Sequence, residues 1–589
     1  MRADSVGGAL LEAASHDSAG VSFWTDPGES TFYSYSTLAQ NARAVAASLQ
    51  KHGVKRGESV AIILPTGPEF YAAFFGASLA GAVPTALYPP TRLGRVNEWK
   101  VRTATMLCAA ESVVVLTERR LAALLGEPVR TARPRLGCRL VQTLQEESRG
   151  LGPKPVDTSA LATIQFSSGS TGDPKPVALS HENMLSNAHA ILDALPVPAE
   201  ERSGVSWLPL YHDMGLIGCL LSSVISQAPM TLMGPERFVA KPIRWLQALS
   251  ETRATISVAP NFAFGLTVNK ADQSDIEDLD LSNWKVALCG AEPVHPRTLD
   301  DFATRFSVAG FSRRALTPVY GLAEATLAVT FSNPEEAPRW ERFDTDLLEN
   351  QGLAKPSTNG RLISSLGRPL AGCQLAIRDD DGNQVDEGTV GQVHAQGPGV
   401  MVGYLNRDEA TRLVMDAEGW LNTGDTGFLY QGELYLCGRH KDLIIINGRN
   451  HDPAVVEQAL EGIEGVRPGC VAAFAATDSH LGSERLVVLC ERSPKHEVDP
   501  ATVEQAARMV IQDRTGIRLS EFKLLSPGTL PRTSSGKIRR GEARKRFSNE
   551  KLLTAKTVTK GLMFTEMMKG AYHHIRYRAE QLRPSLRLR

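Results

Sequence analysis

The chain is organised around a loop rich in Ser, Gly and Thr, Phe166-Ser167-Ser168-Gly169-Ser170-Thr171-Gly172-Asp173-Pro174-Lys175-Pro176-Val177. The alternating residues 160–165 predict a strand before it, and Ser180 is a good N-cap for a helix over residues 184–195 after it. Small residues let backbone N–H groups approach an anion closely, while hydroxyls and Lys175 add donors and positive charge. The stretch therefore predicts a loop that binds a polyphosphate.

The spacing of this loop differs from that of the nucleotide-triphosphatase phosphate loops. In those loops a Lys directly follows the second Gly, whereas Asp173-Pro174 separates Gly172 from Lys175 here. That class of loop is therefore excluded. Ser/Gly/Thr runs are also common in solvated surface loops, and this stretch alone leaves that alternative open.

Length and composition indicate a globular protein of at least two domains. The chain has 589 residues, of which 42% are hydrophobic and 22% charged, and this length exceeds one hydrophobic core. A net charge of -1 gives no reason to expect a nucleic acid partner. The eight cysteines form no CxxC pair, and the first residues lack the pattern of a signal peptide, so we expect a cytoplasmic protein.

One uncharged segment, residues 70–91, is long enough to span a bilayer. It contains several Gly and Pro residues, and its two halves differ in pattern. Residues 70–80 predict a buried helix, and residues 82–87 predict a strand. We therefore expect no transmembrane segment.

The N-terminal half alternates strand and helix patterns. Residues 59–64 and 112–116 predict buried strands, while residues 119–125 and the later part of 32–50 predict helices. This alternation is typical of doubly wound α/β sheets. The predicted fold class is therefore α/β.

Six further runs contain residues suited to binding or catalysis: 207–216 (WLPLYHDMGL), 285–293 (KVALCGAEP), 317–324 (TPVYGLAE), 420–427 (WLNTGDTG), 438–453 (GRHKDLIIINGRNHDP) and 530–540 (LPRTSSGKIRR). The Gly-Ala turn at 290–291 permits close approach of a flat ring, and Tyr320 offers a broad face to stack on one. A cation that bridges phosphates needs a carboxylate such as Glu324 beside it. For His212, a buried histidine bonded to the backbone stays open as the alternative.

Together with the Ser/Gly/Thr loop, these runs resemble the adenylate-forming superfamily of acyl-CoA synthetases, luciferases and peptide-synthetase adenylation domains. The closest resemblance, over nearly the whole chain, is to the fatty acyl-AMP ligases. It implies two cofactors, ATP and Mg²⁺. The implied ATP contacts are Ser167, Ser168, Gly169, Ser170, Thr171, Gly172 and Lys175 for the phosphates, Gly290, Ala291, Glu292, Tyr320 and Gly321 for adenine, Asp425 for ribose, and Arg439 for ribose or phosphate. The implied catalytic residues are Lys537, Glu324, Thr171 and His212, with Glu324 as the Mg²⁺ ligand and His212 in the wall of the acyl site.

The resemblance also implies the domain plan. A large N-terminal domain of doubly wound sheets with a small β subdomain is expected over residues 1–437, and a small mobile α/β domain over 442–547. Residues 438–441 would be the hinge, and residues 548–589 a basic tail. The polar, non-periodic residues 332–366 look like the insertion typical of fatty acyl-AMP ligases. One departure from that branch is Asp452, where an aromatic residue is usual.

The implied reaction is the activation of a fatty acid by ATP to an acyl-adenylate, with release of pyrophosphate. The acyl group would then pass to a phosphopantetheinylated acyl carrier protein. A fatty acyl-CoA ligase shares this first step and stays open as the main alternative. A non-catalytic relative is disfavoured because Lys537, Glu324 and the phosphate loop are all present. A peptide-synthetase adenylation domain is disfavoured because no carrier domain and no acidic residue for an amine stand out.

Overall fold

The structure is a computed structural model. It describes residues 3–15, 19–90, 96–146, 157–167, 174–439, 442, 444–446, 449–477, 484–494, 498–533 and 537–549. The predicted phosphate-loop residues 168–172, the hinge residue Lys441 and all but the first two residues of the predicted basic tail lie outside these ranges.

The strands, in chain order, are β1 (Gly20–Asp26), β2 (Glu29–Ser34), β3 (Ser59–Ile63), β4 (Val83–Ala86), β5 (Val114–Thr117), β6 (Cys138–Leu140), β7 (Leu161–Ser167), β8 (Lys175–Ser180), β9 (Gly204–Ser206), β10 (Met230–Leu232), β11 (Ile256–Ala259), β12 (Val286–Cys289), β13 (Leu316–Gly321), β14 (Ala328–Phe331), β15 (Trp340–Phe343), β16 (Arg361–Ser364), β17 (Arg368–Pro369), β18 (Gln374–Arg378), β19 (Gly391–Gln396), β20 (Gly403–Tyr404), β21 (Leu421–Tyr430), β22 (Glu433–Arg439), β23 (Ile444–Ile446), β24 (Arg449–His451), β25 (Val466–Thr477), β26 (Glu484–Arg492) and β27 (Leu519–Leu525).

The α-helices, in chain order, are α1 (Val6–Ala13), α2 (Tyr35–Lys51), α3 (Pro68–Leu79), α4 (Val96–Ala109), α5 (Arg119–Ala122), α6 (Gly126–Ala132), α7 (Val141–Glu146), α8 (His181–Asp193), α9 (Ser222–Ser226), α10 (Pro235–Ala240), α11 (Ile243–Thr252), α12 (Asn261–Lys270), α13 (Gln273–Glu277), α14 (Pro296–Phe306), α15 (Thr345–Gln351), α16 (Asp408–Arg412), α17 (Pro453–Ala459), α18 (Pro500–Thr515) and α19 (Arg540–Ser548). Single turns of 3₁₀-helix are Ala199–Glu201, Ser307–Ala309, Arg313–Ala315 and Ala323–Ala325, and Met214–Leu221 forms a π-helix.

Two sheets rich in parallel strands form the N-terminal part. The larger has the order β17-β14-β13-β12-β11-β9-β10-β1-β2, and its six middle strands from β13 to β1 are parallel. The smaller has the order β4-β3-β5-β6 and is parallel throughout. Strand β3 is buried along its whole length, as expected for a parallel strand covered on both faces. The predicted α/β fold class is confirmed.

Helix α3 contains the first half of the uncharged segment 70–91, and β4 lies in the second half. Every residue from Phe70 to Leu79 is buried, because the helix is apolar all round and packs within the protein against α2. A turn at Gly81, whose φ is +76°, then leads the chain into β4. Among the described residues, no helix has the length and apolar character needed to cross a bilayer.

Two further sheets of the N-terminal part are antiparallel. One has the order β18-β19-β21-β22, and its strands β21 and β22 place the Cα atoms of Asp425 and Arg439 opposite each other. The other, β20-β8-β7, joins the strands on either side of the Ser/Gly/Thr loop to a distant two-residue strand. This second sheet brings residues 403–404 beside the start of β8.

The part of the chain after residue 442 packs around its own apolar cores. The sheet β25-β26-β27 is covered on one side by apolar residues of α17 and α18, including Val456 and Ile511. On the other side, Leu530 and Ala543 pack against Phe474 and Val487. A separate core is the property of an independent domain, so it supports the prediction of a C-terminal domain.

The segment 332–366, which lacks a periodic pattern in the sequence, is folded. Strands β15 and β16 pair antiparallel, and α15 lies between them in the chain. Phe343, Leu348 and Ile363 of this segment pack against Phe428 and Tyr435 of the β18-β19-β21-β22 sheet. The elements are too short for their periodicity to be visible in the sequence.

Candidate active site

A cavity of about 390 Å³ opens where strands β7 and β13 end. Ligands of open α/β sheets bind at such carboxyl ends of the strands. The residues around it come from both parts of the chain, because Lys537 of the C-terminal part reaches a wall built by the N-terminal part. Nine of the residues proposed from the sequence line it: Ser167, Lys175, His212, Ala291, Tyr320, Gly321, Glu324, Arg439 and Lys537.

The remaining sequence-predicted residues lie behind this wall or outside the described ranges. Asp425 is buried beneath Tyr320 and Arg439. Gly290 packs against β13, where an added Cβ would come within 2.7 Å of a Val319 methyl. Ser168, Gly169, Ser170, Thr171 and Gly172 are not among the described residues.

The predicted ribose ligand Asp425 already has two hydrogen-bond donors. The Tyr320 hydroxyl donates to Oδ2 at 2.7 Å, and Arg439 Nε donates to Oδ1 at 3.0 Å. Burial raises the pKa of the Tyr320 phenol well above its ordinary value, and the Asp425 charge adds to this. The attraction of Asp425 is the main reason why the pKa of Arg439 is raised. Tyr320 is therefore fixed as a neutral ring, with the shape needed to stack on a base.

Gly321 lets two strands approach closely beside Tyr320. A Cβ at this position would lie 1.7 Å from the Leu327 carbonyl oxygen, which no side chain can tolerate. The turn that follows contains Glu324 and returns into β14. The glycine thus places Tyr320 and Glu324 on the same cavity wall.

Glu324 contacts a residue that the sequence reasoning missed. The Tyr404 hydroxyl donates to Glu324 Oε1 at 3.0 Å, and Lys175 Nζ lies 3.5 Å from the same hydroxyl. Tyr404 is 5% exposed and lines the cavity. Its place depends on the pairing of β20 with β8, between residues more than two hundred positions apart, so no local pattern could have found it.

The donor set fits a magnesium ion that bridges phosphates. Mg²⁺ usually takes one or two protein carboxylates and fills its other positions with water and phosphate oxygens. Within the described ranges, no three His, Cys, Asp or Glu side chains converge into a metal-binding group. Glu324 lines the cavity and is a carboxylate that could hold such an ion.

Lys537, in the C-terminal part, is held by two hydrogen bonds to Thr533. Thr533 N donates to the Lys537 carbonyl at 2.7 Å, and Lys537 N donates to Thr533 Oγ1 at 3.0 Å. Burial lowers the pKa of the Lys537 ammonium, and the charges of Glu292 and Asp213 offset only part of this effect. Glu292, implied as an adenine contact, thus acts in this structure as a nearby negative charge that also accepts a hydrogen bond from Phe262 N.

His212 is paired with the residue that follows it. Its Nδ1 lies 2.5 Å from Asp213 Oδ1, and the same oxygen accepts a hydrogen bond from Met214 N at 2.7 Å. Burial would raise the pKa of Asp213, but His212, Lys537 and the Met214 amide together hold it below its ordinary value. Asp213 is therefore ionised, and it orients His212, which lines the cavity. The sequence analysis named His212 without this partner.

One side of the cavity is apolar. The π-helix Met214–Leu221 passes along it, and π-helices are often found at functional sites. The apolar lining residues include Ile191, Met214, Val258, Leu288, Leu327 and Phe331. Such a wall suits a hydrocarbon chain, because burying apolar surface is favourable.

A model of the AMP-binding enzyme family matches residues 12–405 of this chain. The chain belongs to the AMP-binding enzymes. The medium-chain-fatty-acid–acyl-carrier-protein ligase JamA of Moorena producens is 34% identical over 538 residues, covering 87% of this chain and 89% of its own. The long-chain-fatty-acid–AMP ligase FadD32 of Mycolicibacterium smegmatis is 33% identical over 562 residues, covering 87% and 88%.

A solved structure from a study of fatty acyl-adenylate ligases of E. coli and L. pneumophila is also similar. It superposes with a TM-score of 0.87 at 33% identity and covers 93% of this chain and 98% of its own. The resemblance noted in the sequence to the adenylate-forming enzymes, and to their fatty acyl-AMP branch, is thereby confirmed. This AMP-binding enzyme shares with that structure both the large N-terminal part and the smaller part that supplies Lys537.

Proposed function

We propose that the protein activates a fatty acid with ATP to an acyl-adenylate, releases pyrophosphate, and passes the acyl group to an acyl carrier protein. One observation carries the proposal. Lys537 of the C-terminal part enters the same cavity as Glu324, Lys175 and Arg439, and that cavity has an apolar wall. A cluster of cations beside an apolar cavity suits a substrate with a charged head and a hydrocarbon tail.

The chemical problem is the approach of two anions. An oxygen of the fatty acid carboxylate attacks the α-phosphorus of ATP, a C–O–P bond forms, and the bond to the pyrophosphate oxygen breaks. At contact distance, two such charges repel by roughly 4 kcal/mol at an effective dielectric near 20. Lys537, Lys175 and Arg439 offset this repulsion because their charges are already fixed where negative charge accumulates.

The adenosine end of ATP is held by pre-formed groups. Tyr320 would stack on adenine, and Asp425 would accept hydrogen bonds from the ribose hydroxyls. Glu324, with Tyr404 behind it, would hold Mg²⁺, which neutralises phosphate charge and orients pyrophosphate as the leaving group. Ser167 and the residues of the loop after it would donate to the phosphates.

The fatty acid tail would lie on the apolar wall beside the π-helix, with its carboxylate near His212. Asp213 orients His212 through Nδ1, so the other ring nitrogen is the one available to the cavity. In this position His212 would orient the fatty acid carboxylate for attack.

The transfer to a carrier protein is supported by contacts of the segment 332–366. Arg361 Nη2 lies 2.6 Å from Asp452 Oδ2, and His451 Nδ1 lies 3.2 Å from Glu349 Oε2. Both pairs join this segment to the C-terminal domain. We infer that they hold that domain in the arrangement that places Lys537 in the cavity, which opposes the rotation that CoA transfer would require.

All eight cysteines are free thiols, in keeping with a cytoplasmic enzyme.

The test is a product analysis. The protein is incubated with ATP, Mg²⁺ and a ladder of fatty acids, alone, with CoA, or with phosphopantetheinylated carrier protein. Without an acceptor, we expect pyrophosphate and acyl-AMP. With the carrier protein we expect the acylated carrier protein, and with CoA we expect little acyl-CoA. Acyl-CoA formation as fast as adenylation would instead identify a fatty acyl-CoA ligase.

A pair of lysine variants controls for indirect effects. Lys537→Ala should abolish most adenylation, whereas Lys523→Ala removes an exposed lysine of β27 that pairs with Glu521 and should leave it unchanged. Equal activity of both variants and the wild type would contradict the assignment of Lys537.

A further inference from the structure

One short segment, residues 398–405, connects the two places where the phosphates and the metal are expected. On one side, β20 pairs with β8, directly after the phosphate loop, and Leu405 N donates to the Pro176 carbonyl at 2.8 Å. On the other side, Met401 N donates to the Glu324 carbonyl at 2.9 Å. The segment therefore fixes the backbone of β8 relative to the backbone of Glu324.

Tyr404 repeats this connection with its side chain. Its hydroxyl donates to Glu324 Oε1 at 3.0 Å, and Lys175 Nζ lies 3.5 Å from the hydroxyl oxygen and 4.5 Å from the ring centroid. A phenol has one proton to give and lone pairs to receive, so it can donate to the carboxylate while it accepts from the ammonium. The ring is buried, and its backbone N–H is held by Thr411 Oγ1 at 2.9 Å.

We propose that Tyr404 is a positioning residue that sets Glu324 for Mg²⁺ and Lys175 for the outer phosphates of ATP, and that it serves the Mg²⁺–ATP complex but not AMP. The inference rests on the proposed function, since it takes this cavity to be the Mg²⁺–ATP site. A carboxylate has two oxygens, so one can stay on Tyr404 while the other meets the metal. Through the ring and the hydroxyl, Tyr404 limits where Lys175 can place its charge.

Simple packing is the competing explanation for a buried tyrosine. The two explanations separate at the hydroxyl, because Tyr404→Phe keeps the ring, its contact with Lys175 and its packing, and removes the donor to Glu324. A packing residue would tolerate that change. A positioning residue would not tolerate it, because losing a hydrogen bond to a charged group changes a binding constant about tenfold or more.

The experiment measures nucleotide binding without fatty acid, by titration calorimetry. Wild type and Tyr404→Phe are each titrated with ATP plus Mg²⁺, ATP plus EDTA, and AMP. Tyr33→Phe is the matched control, because Tyr33 lies on β2, where its ring packs against Phe23. We expect Tyr404→Phe to weaken Mg²⁺–ATP binding about tenfold and to raise the Mg²⁺ concentration needed for half-saturation, with AMP affinity within about twofold of wild type.

The double variant Glu324→Gln/Tyr404→Phe tests whether Tyr404 acts through Glu324. In the Glu324→Gln background, loss of the hydroxyl should add less than about threefold to the Mg²⁺ requirement. Unchanged Mg²⁺–ATP affinity in Tyr404→Phe overturns the proposal, and so does an equal loss of AMP affinity, which would indicate a general structural role. Because no step requires a fatty acid, failure of the protein to make acyl-AMP would contradict the proposed function without deciding this result.

Discussion

The ion pair between Arg361 and Asp452 offers the sharpest test of what the segment 332–366 does. The two side chains are 18% and 9% exposed, so the pair is mostly removed from water. Removing one partner of a fully buried pair costs about 3–5 kcal/mol. Partial solvent access reduces this, and we take about 2 kcal/mol for Arg361→Ala. Since each 1.4 kcal/mol is a factor of ten, the fraction of molecules with an undocked C-terminal domain should rise about 30-fold.

The assay is a distance distribution between two spin labels. One is attached to the exposed Cys108 on α4, and the other to an introduced Met509→Cys on α18, where the native side chain is 60% exposed. Arg361→Ala should add a second, altered distance, and acyl-CoA output should rise relative to acyl-AMP. Arg342→Ala is the control, because Arg342 is an exposed arginine of the same segment whose guanidinium donates to the Gly360 carbonyl.

One outcome would refute the reasoning. If Arg361→Ala keeps the wild-type distance distribution and the wild-type ratio of products, the ion pair does not hold the domain. A change of equal size in Arg342→Ala would show instead that any damage to the segment has this effect.

Three further predictions concern single side chains. Lys537→Ala should slow acyl-AMP formation by roughly 10² or more while ATP binding changes little. Burial lowers the pKa of Lys537, so the wild-type rate should begin to fall at a lower pH than it would with a lysine of ordinary pKa. The variant should not show this decrease at alkaline pH. Glu324→Gln should raise the Mg²⁺ requirement and Asp425→Ala should weaken ATP binding at unchanged metal dependence, so identical metal titrations would show that the roles are wrongly divided. Burial lowers the pKa of His181 from 6.5 to about 4, and its Nδ1 accepts from Val6 N, so the folded state needs the neutral ring. Stability should therefore decrease by about 3 kcal/mol as pH falls from about 6.5 to about 4, and urea unfolding of His181→Gln should show a smaller decrease.

The sequence predicted the elements whose signals are local. The predicted strand 59–64 corresponds to β3 (Ser59–Ile63) and the predicted helix 70–80 to α3 (Pro68–Leu79), because an apolar run bounded by Gly and Pro leaves few other structures. The N-cap at Ser180 was also correct, and Asn183 completes a capping box with it. Helix α8 begins at His181, three residues before the predicted start at residue 184. Its first turn is polar, so the apolar pattern used for the prediction begins later.

The contacts that complete the site could not be predicted in this way. Tyr404 reaches Glu324 only because β20 pairs with β8, and Asp452 meets Arg361 only because the segment 332–366 lies against a later part of the chain. Both contacts join residues far apart in the chain, and local sequence patterns do not show which distant residues lie side by side in the fold. Asp452 shows this most directly. Its departure from the usual aromatic residue was visible, but its partner was not.

Both carboxylate oxygens of Asp425 already accept a hydrogen bond in the protein without ATP. Tyr320 donates to one of its oxygens and Arg439 to the other, so in the proposed ATP site the ribose hydroxyls would share this carboxylate with two existing donors. Arg439 is also the last residue of β22, at the point where the chain leaves for the C-terminal domain. A ligand hydroxyl that displaces Arg439 from Asp425 would therefore also affect the end of β22, where the connection to the C-terminal part begins. If ATP binds as proposed, the effect is reciprocal: a change in the position of the end of β22 would change the affinity for the ribose by the same factor.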